Sequence, residues 1–151
     1  MQTSAFDIIG PIMVGPSSSH TAGATKIGLE MKKQIKGKLK KVKIILYNSF
    51  ADTGEGHGTK TAIVGGLIGI KTDDETLKDS MKIAKAMGMK IKFVKKHDQK
   101  KHPNSTKIIC KTTEGTYIGK GNSIGGGLIT FKMTKIIEPK ILEPIKAKVI
   151  Q

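Results

Sequence analysis

Helical spacing of apolar residues early in the chain, followed by alternating and β-branched segments punctuated by glycine, predicts an α+β domain with a mixed or largely antiparallel sheet and about three helices. Three observations carry this. Ala24, Ile27, Met31 and Ile35 recur at three- and four-residue intervals, Met89, Ile91 and Phe93 alternate with lysines, and Thr113-Glu114-Gly115 separates two strand-like runs as a hairpin turn would. At 151 residues the chain is sized for one core. We expect a single domain over residues 1–135 and a tail over 136–151 punctuated by Pro139 and Pro144.

Taken in order, the first 16 residues read as extended and turn-rich, with Gly10-Pro11 and Gly15-Pro16 turning the chain. Ser17 or Ser18 is suited to cap the first helix, and Gly37 stops it. Val42 to Tyr47 has strand length and leads into a polar loop from Asn48 to Gly58. Thr59 to Ile70 reads as a second helix, in which Gly65, Gly66 and Gly69 predict that another element packs closely. Thr72-Asp73-Asp74-Glu75 has capping-box spacing ahead of a third helix that carries Leu77, Met81 and Ala84 and ends at Gly88. Strands are expected at Met89 to Phe93, Thr106 to Thr112, Thr116 to Lys120 and Leu128 to Met133. Gly119-x-Gly121 and Gly125-Gly126-Gly127 read as strand ends and tight turns rather than phosphate loops.

Composition narrows the function. No apolar stretch approaches the roughly 20 residues that cross a bilayer, and the N-terminus lacks the basic-then-apolar order of a secretory signal, so a cytoplasmic protein is expected. A single cysteine, Cys110, cannot form an internal disulfide or hold a thiolate-bound cluster; in the run Ile108-Ile109-Cys110 it reads as a buried strand thiol. The net charge of +15 raises nucleic-acid binding, yet all 27 basic residues are lysine and aromatics make up 4% of the chain. A solvated lysine surface fits better, with an acidic protein partner or weak polyanion binding as the remaining readings. We expect no nucleic-acid and no membrane partner.

Three loops each present a histidine beside residues suited to small polar ligands. Ser17-Ser18-Ser19-His20-Thr21 sits at a helix N-terminus, where free N–H groups favour a carboxylate or phosphate, although the serines could simply cap and His20 simply pack. Gly54-Glu55-Gly56-His57-Gly58-Thr59 lets backbone approach a ligand while offering one imidazole as a base. His102-Pro103-Asn104 presents His102 and Asn104 together on a stiffened turn. His97, among Lys95, Lys96 and Lys100, reads as solvated and without a partner. Zinc-protease, nucleophile-elbow and Walker motifs do not occur in the sequence.

The segment from Phe6 to Ala24, with Gly10-Pro11-Ile12-Met13-Val14-Gly15-Pro16-Ser17-Ser18-Ser19-His20-Thr21 at its centre, resembles the start of the β subunit of bacterial iron-sulfur L-serine dehydratases. Gly56-His57-Gly58-Thr59, His102-Pro103-Asn104 and Ser123-Ile124-Gly125-Gly126-Gly127 are similar to that family's later motifs, in the same order. The resemblance implies conversion of L-serine to pyruvate and ammonia, with a [4Fe-4S] cluster held by a partner α subunit and neither metal nor cofactor bound by this chain. It implies a fold similar to the allosteric substrate-binding domain of phosphoglycerate dehydrogenases, in a short form without an ACT domain. His57 is then the leading catalytic base and His102 a second catalytic or orienting histidine. Ser17, Ser18, Ser19, His20, Thr21 and Asn104 are the expected substrate-binding residues. A regulatory or small-anion-binding module without a catalytic role is the alternative.

Overall fold

The computed structural model describes residues 18–53 and 58–136, with residues 18–20 and 53 described by their backbone alone. In chain order these form helix α1 (Ser18–Gln34), strand β1 (Leu39–Asn48), a short helix α2 (Ser49–Thr53) and helix α3 (Thr59–Leu67). A 3-10 turn (Glu75–Asp79) then runs into helix α4 (Ser80–Ala86), and strands β2 (Lys90–Lys96), β3 (Asn104–Thr112), β4 (Gly115–Gly125) and β5 (Leu128–Ile136) follow. The strands form one sheet in the order β2-β1-β3-β4-β5. β2 lies parallel to β1 and the remaining pairs are antiparallel, giving the mixed sheet that the sequence predicts.

Period-two alternation explains which face of the sheet is covered. Val42, Ile44 and Leu46 of β1 pair with Cys110, Ile108 and Thr106 of β3, and all six are buried. Their opposite neighbours carry the lysines, so the helices pack on one face only. Thr106 is tolerated in the core because its hydroxyl donates to the Ile45 carbonyl at 2.8 Å. Cys110 is a buried core thiol as expected, and burial pushes its pKa up to about 12.

Helix α1 crosses β4 through a size-matched series of contacts. A Cβ added at Gly121 would lie 2.8 to 3.0 Å from three Ile27 side-chain atoms, one at Gly119 would overlap Met31, and one at Gly23 would overlap Ser123. Residues 23, 27 and 31 advance four at a time along the helix, about 6.0 Å per step, while 123, 121 and 119 recede two at a time along the strand, about 6.7 Å per step. The two repeats therefore stay in phase over three contacts. Gly119 and Gly121 lie inside β4 and not at strand ends, because only hydrogen side chains leave room there for Ile27 and Met31.

Gly28 and Gly66 let α1 and α3 approach until backbone meets backbone, and Gly65 leaves space for Leu77 and Ser80, as the glycine content of α3 predicts. Two other expectations need correction. Asn48 to Gly58 is not all loop: Phe50 and Ala51 are buried apolar side chains that give α2 a core to attach to. The cap before the third helical segment is Asp74 rather than Thr72. Its carboxylate accepts from the Thr76 N–H at 2.8 Å and the Thr76 hydroxyl at 2.7 Å, bonds that hold the Asp74 pKa below its ordinary value. Among the described residues no helix is long and apolar enough to cross a membrane.

Candidate active site

The described parts of the expected site segments lie at the end of the sheet where β1 finishes, β3 begins and β4 finishes. Pairing of Asn48 with Asn104 and of Ser105 with Asn122 brings these strand ends side by side. The turn after β4 is closed by Gly125, Gly126 and Gly127 at φ of 105°, 62° and 80°, conformations that side chains with a Cβ rarely adopt. Helix α1 directs its N-terminus to the same end, since Gly23 rests on Ser123. A Cβ added at Gly58, the residue that opens α3 at φ 72°, would touch the Thr21 methyl at 3.8 Å, so the first turns of α1 and α3 are neighbours.

The third loop is tied in by backbone. The Pro103 carbonyl accepts from the N–H of Ser49 at 2.8 Å and of Phe50 at 3.4 Å, joining the His102 loop to the start of α2. Helix α2 leads directly into the segment that carries His57. Thus Thr21, Gly58, His102, Asn104 and Ser123 all lie around one end of the fold. Ser17 and His57 fall outside the described residues, and Ser18, Ser19 and His20 occupy the first turn of α1 with no side chain described.

His102 and Asn104 have definite chemistry. The Asn104 N–H donates to Nδ1 of His102 at 2.9 Å, so the neutral ring carries its hydrogen on Nε2. The side-chain oxygen of Asn104 is buried with no hydrogen-bond partner among the described residues. A buried acceptor of this kind is expensive unless a ligand supplies the donor. Thr21 is buried in the first part of α1. Among the described residues no group of three His, Cys, Asp or Glu side chains is placed to hold a metal ion.

Two contributors were not legible as site residues in the sequence. Asn48 has φ 54°, unusual for a residue with a side chain, and acts as the clasp of the His102 loop. Its Nδ2 donates to the carbonyls of Asp98, Lys101 and His102 at 3.0, 3.2 and 3.2 Å, and its Oδ1 accepts from the Asp98 N–H at 2.9 Å. An asparagine between a strand and a polar loop is the available signal, because Asn tolerates the left-handed region and mimics backbone. His97 is the second, and corrects the expectation that it lacks a partner: its Nε2 lies 2.6 Å from the Asp52 carboxylate, linking the end of β2 to α2.

A model of the serine dehydratase beta chain family matches residues 4–89. The chain belongs to that family. It is 45% identical over 126 residues to the "Probable L-serine dehydratase, beta chain" of Bacillus subtilis, an alignment covering 83% of this chain and 57% of the relative. It is also 45% identical over 127 residues to the "L-serine dehydratase, beta chain" of Peptoniphilus asaccharolyticus, covering 82% of this chain and 57% of the relative. A longer relative, "L-serine dehydratase" of Streptomyces coelicolor, is 33% identical over 96 residues, or 58% of this chain and 21% of that protein. The chain spans a little over half the length of these two 45%-identical relatives. The family match takes in Ser17 to Thr21 and His57, while His102 and Asn104 lie beyond it.

Proposed function

We propose that the chain is the β subunit of an iron-sulfur L-serine dehydratase (L-serine ammonia-lyase), which converts L-serine to pyruvate and ammonia when joined to a companion α subunit. The convergence of the α1 N-terminus, the start of α3 and the His102-Pro103-Asn104 loop at one end of the sheet is the observation that carries this reading. The likeness to the allosteric substrate-binding domain of phosphoglycerate dehydrogenases belongs to the same reading.

Each group on this chain suits a part of the substrate. The backbone N–H groups and hydroxyls of Ser17 to Thr21 suit the serine carboxylate, helped by the positive end of a 17-residue helix. The Asn104 oxygen, without a partner among the described residues, suits the substrate ammonium. His102, with its hydrogen on Nε2, suits an orienting donor better than a base. His57 is left as the group that takes the Cα proton. The chain is a poor host for the [4Fe-4S] cluster, since its one thiol is buried in the core and held protonated by that burial; the cluster belongs in this reading to the α subunit.

Anaerobic co-purification with an α chain, followed by assay of pyruvate from L-serine, tests the reading. An intact, cluster-loaded complex that makes no pyruvate would overturn it. His57→Ala within that complex should lower turnover by roughly 10² to 10⁴ without loss of association. Unchanged turnover would favour a purely regulatory role for this chain.

A further inference from the structure

The face of the sheet opposite the helices carries lysine in an arrangement that the fold alone does not favour. Lys41 of β1 lies between Lys90 of β2 and Lys111 of β3, and Lys43 lies beside Lys92. Across the other half of the sheet Lys107, Lys120 and Lys132 form a second row of three on adjacent strands. Together with Lys96 these make nine lysines on one face. Eight are exposed and Lys107 is half-buried. The acidic residues among those described, Glu30, Asp52, Asp73, Asp74, Glu75, Asp79, Asp98 and Glu114, all lie in helices, turns or loops and none in a strand.

Directly opposed residues on neighbouring strands place their Cβ atoms about 5 Å apart, and like charges there repel. A solvated surface would mix the signs, as Lys33 and Glu30 do on α1 at 3.3 Å. None of the nine lysines forms an ion pair with a described residue. Between the rows, in line with Lys43 and Lys92, lie the aliphatic side chains of Ile109 and Ile118, while Ile45 and Val94 continue the second row across β1 and β2. A groove of about 420 Å³ lies along the first row, lined by Lys41, Lys43, Lys90, Lys92, Ile109 and Lys111 among others.

We infer that this lysine-rowed face is a docking surface for a carboxylate-rich protein surface, and, building on the function proposed above, that the companion α subunit carries it. Carboxylates inserted between the rows would relieve the cross-strand repulsion and cover the aliphatic side chains there. A nucleic-acid ligand fits less well. The chain has no arginine for bidentate phosphate contacts, and no aromatic side chain stands exposed on this face for bases to stack upon.

The variant Lys41→Glu with Lys120→Glu tests this, because each change turns a repelling row into an alternating one. The isolated variant should melt at or above the temperature of the parent chain. Its association with the α chain should weaken by about tenfold or more at low salt, with the difference shrinking as salt rises. A matched control, Lys36→Glu with Lys78→Glu, alters the same net charge on the helix side and should bind as the parent does.

Equal binding by the face variant and the parent, or equal weakening by the control, would overturn the inference. So would tighter binding of the parent chain to a 30-base-pair DNA duplex than to the α chain. Pyruvate formation is read in parallel. Salt-sensitive docking without pyruvate sinks the proposed activity and leaves the docking surface standing; pyruvate with unaltered docking of the face variant does the reverse.

Discussion

Replacing Asn48 should unfasten the loop that carries His102. Its Nδ2 has two hydrogens for the three carbonyls of Asp98, Lys101 and His102, and its Oδ1 takes the Asp98 N–H, so about three hydrogen bonds' worth of interaction is at stake. At about 0.5–1.5 kcal/mol net for each, loss of the side chain removes about 2–4 kcal/mol. Alanine also meets a steric penalty at φ 54°, on the order of 1 kcal/mol. Glycine escapes that penalty but has greater freedom when unfolded, so Asn48→Gly should recover no more than about 1 kcal/mol relative to Asn48→Ala. Urea unfolding followed by circular dichroism, at constant m, measures both. In complex with the α chain, both variants should also lower turnover through a mispositioned His102. A loss below 1 kcal/mol for Asn48→Ala, or full recovery in Asn48→Gly, would refute the clasp: the residue would then be there for its backbone angle alone.

Other consequences are equally measurable. Gly121→Ala drives a Cβ against the stiff, buried Ile27 and should destabilise the fold by about 1–3 kcal/mol in the same urea assay. Cys110 should resist thiol reagents in the folded chain and react promptly in urea. Because burial raises its folded pKa from 9.0 to about 12, the neutral thiol stabilises the fold fully below about pH 9. That contribution is lost as pH rises towards 12, so the difference in stability between parent and Cys110→Ser should fall by up to about 1.4 kcal/mol per pH unit across that window. His97→Ala breaks an exposed pair with Asp52 and should change stability by no more than about 1 kcal/mol, readable in the same melts. His102→Gln, whose amide can offer an N–H near the Nε2 position, should retain more turnover than His102→Ala; equal loss would argue against the donor role.

The regular elements were legible wherever local pattern and tertiary demand agree. β2 announces itself by alternation, and β1 by a β-branched apolar run of strand length that is buried from Ile44 to Tyr47. α1 does so because its apolar stripe rests on β4. What escaped notice depended on distant partners. Gly119 and Gly121 look like breakers until Met31 and Ile27 occupy the space they leave, and α2 looks like loop until Phe50 and Ala51 find the core. At the site, the candidate loops could be picked out by composition, but their meeting could not, because it rests on Pro103 bonding to Ser49 and Phe50 and on Asn48 gripping residues about 50 positions away. Asp52 and His97, 45 positions apart, were likewise invisible as a pair.

The in-phase contact of α1 with β4 works as a linear scale with three graduations. To slide along the strand, the helix would have to lift Met31, Ile27 and Gly23 out of register together and travel a whole graduation, about 6 Å, before the next fit. Smaller displacements are blocked. The start of the helix is thereby fixed in position by packing up to about 20 Å away. A bulkier residue at position 119 would shift the origin of that scale, and the error would be carried to the start of the helix.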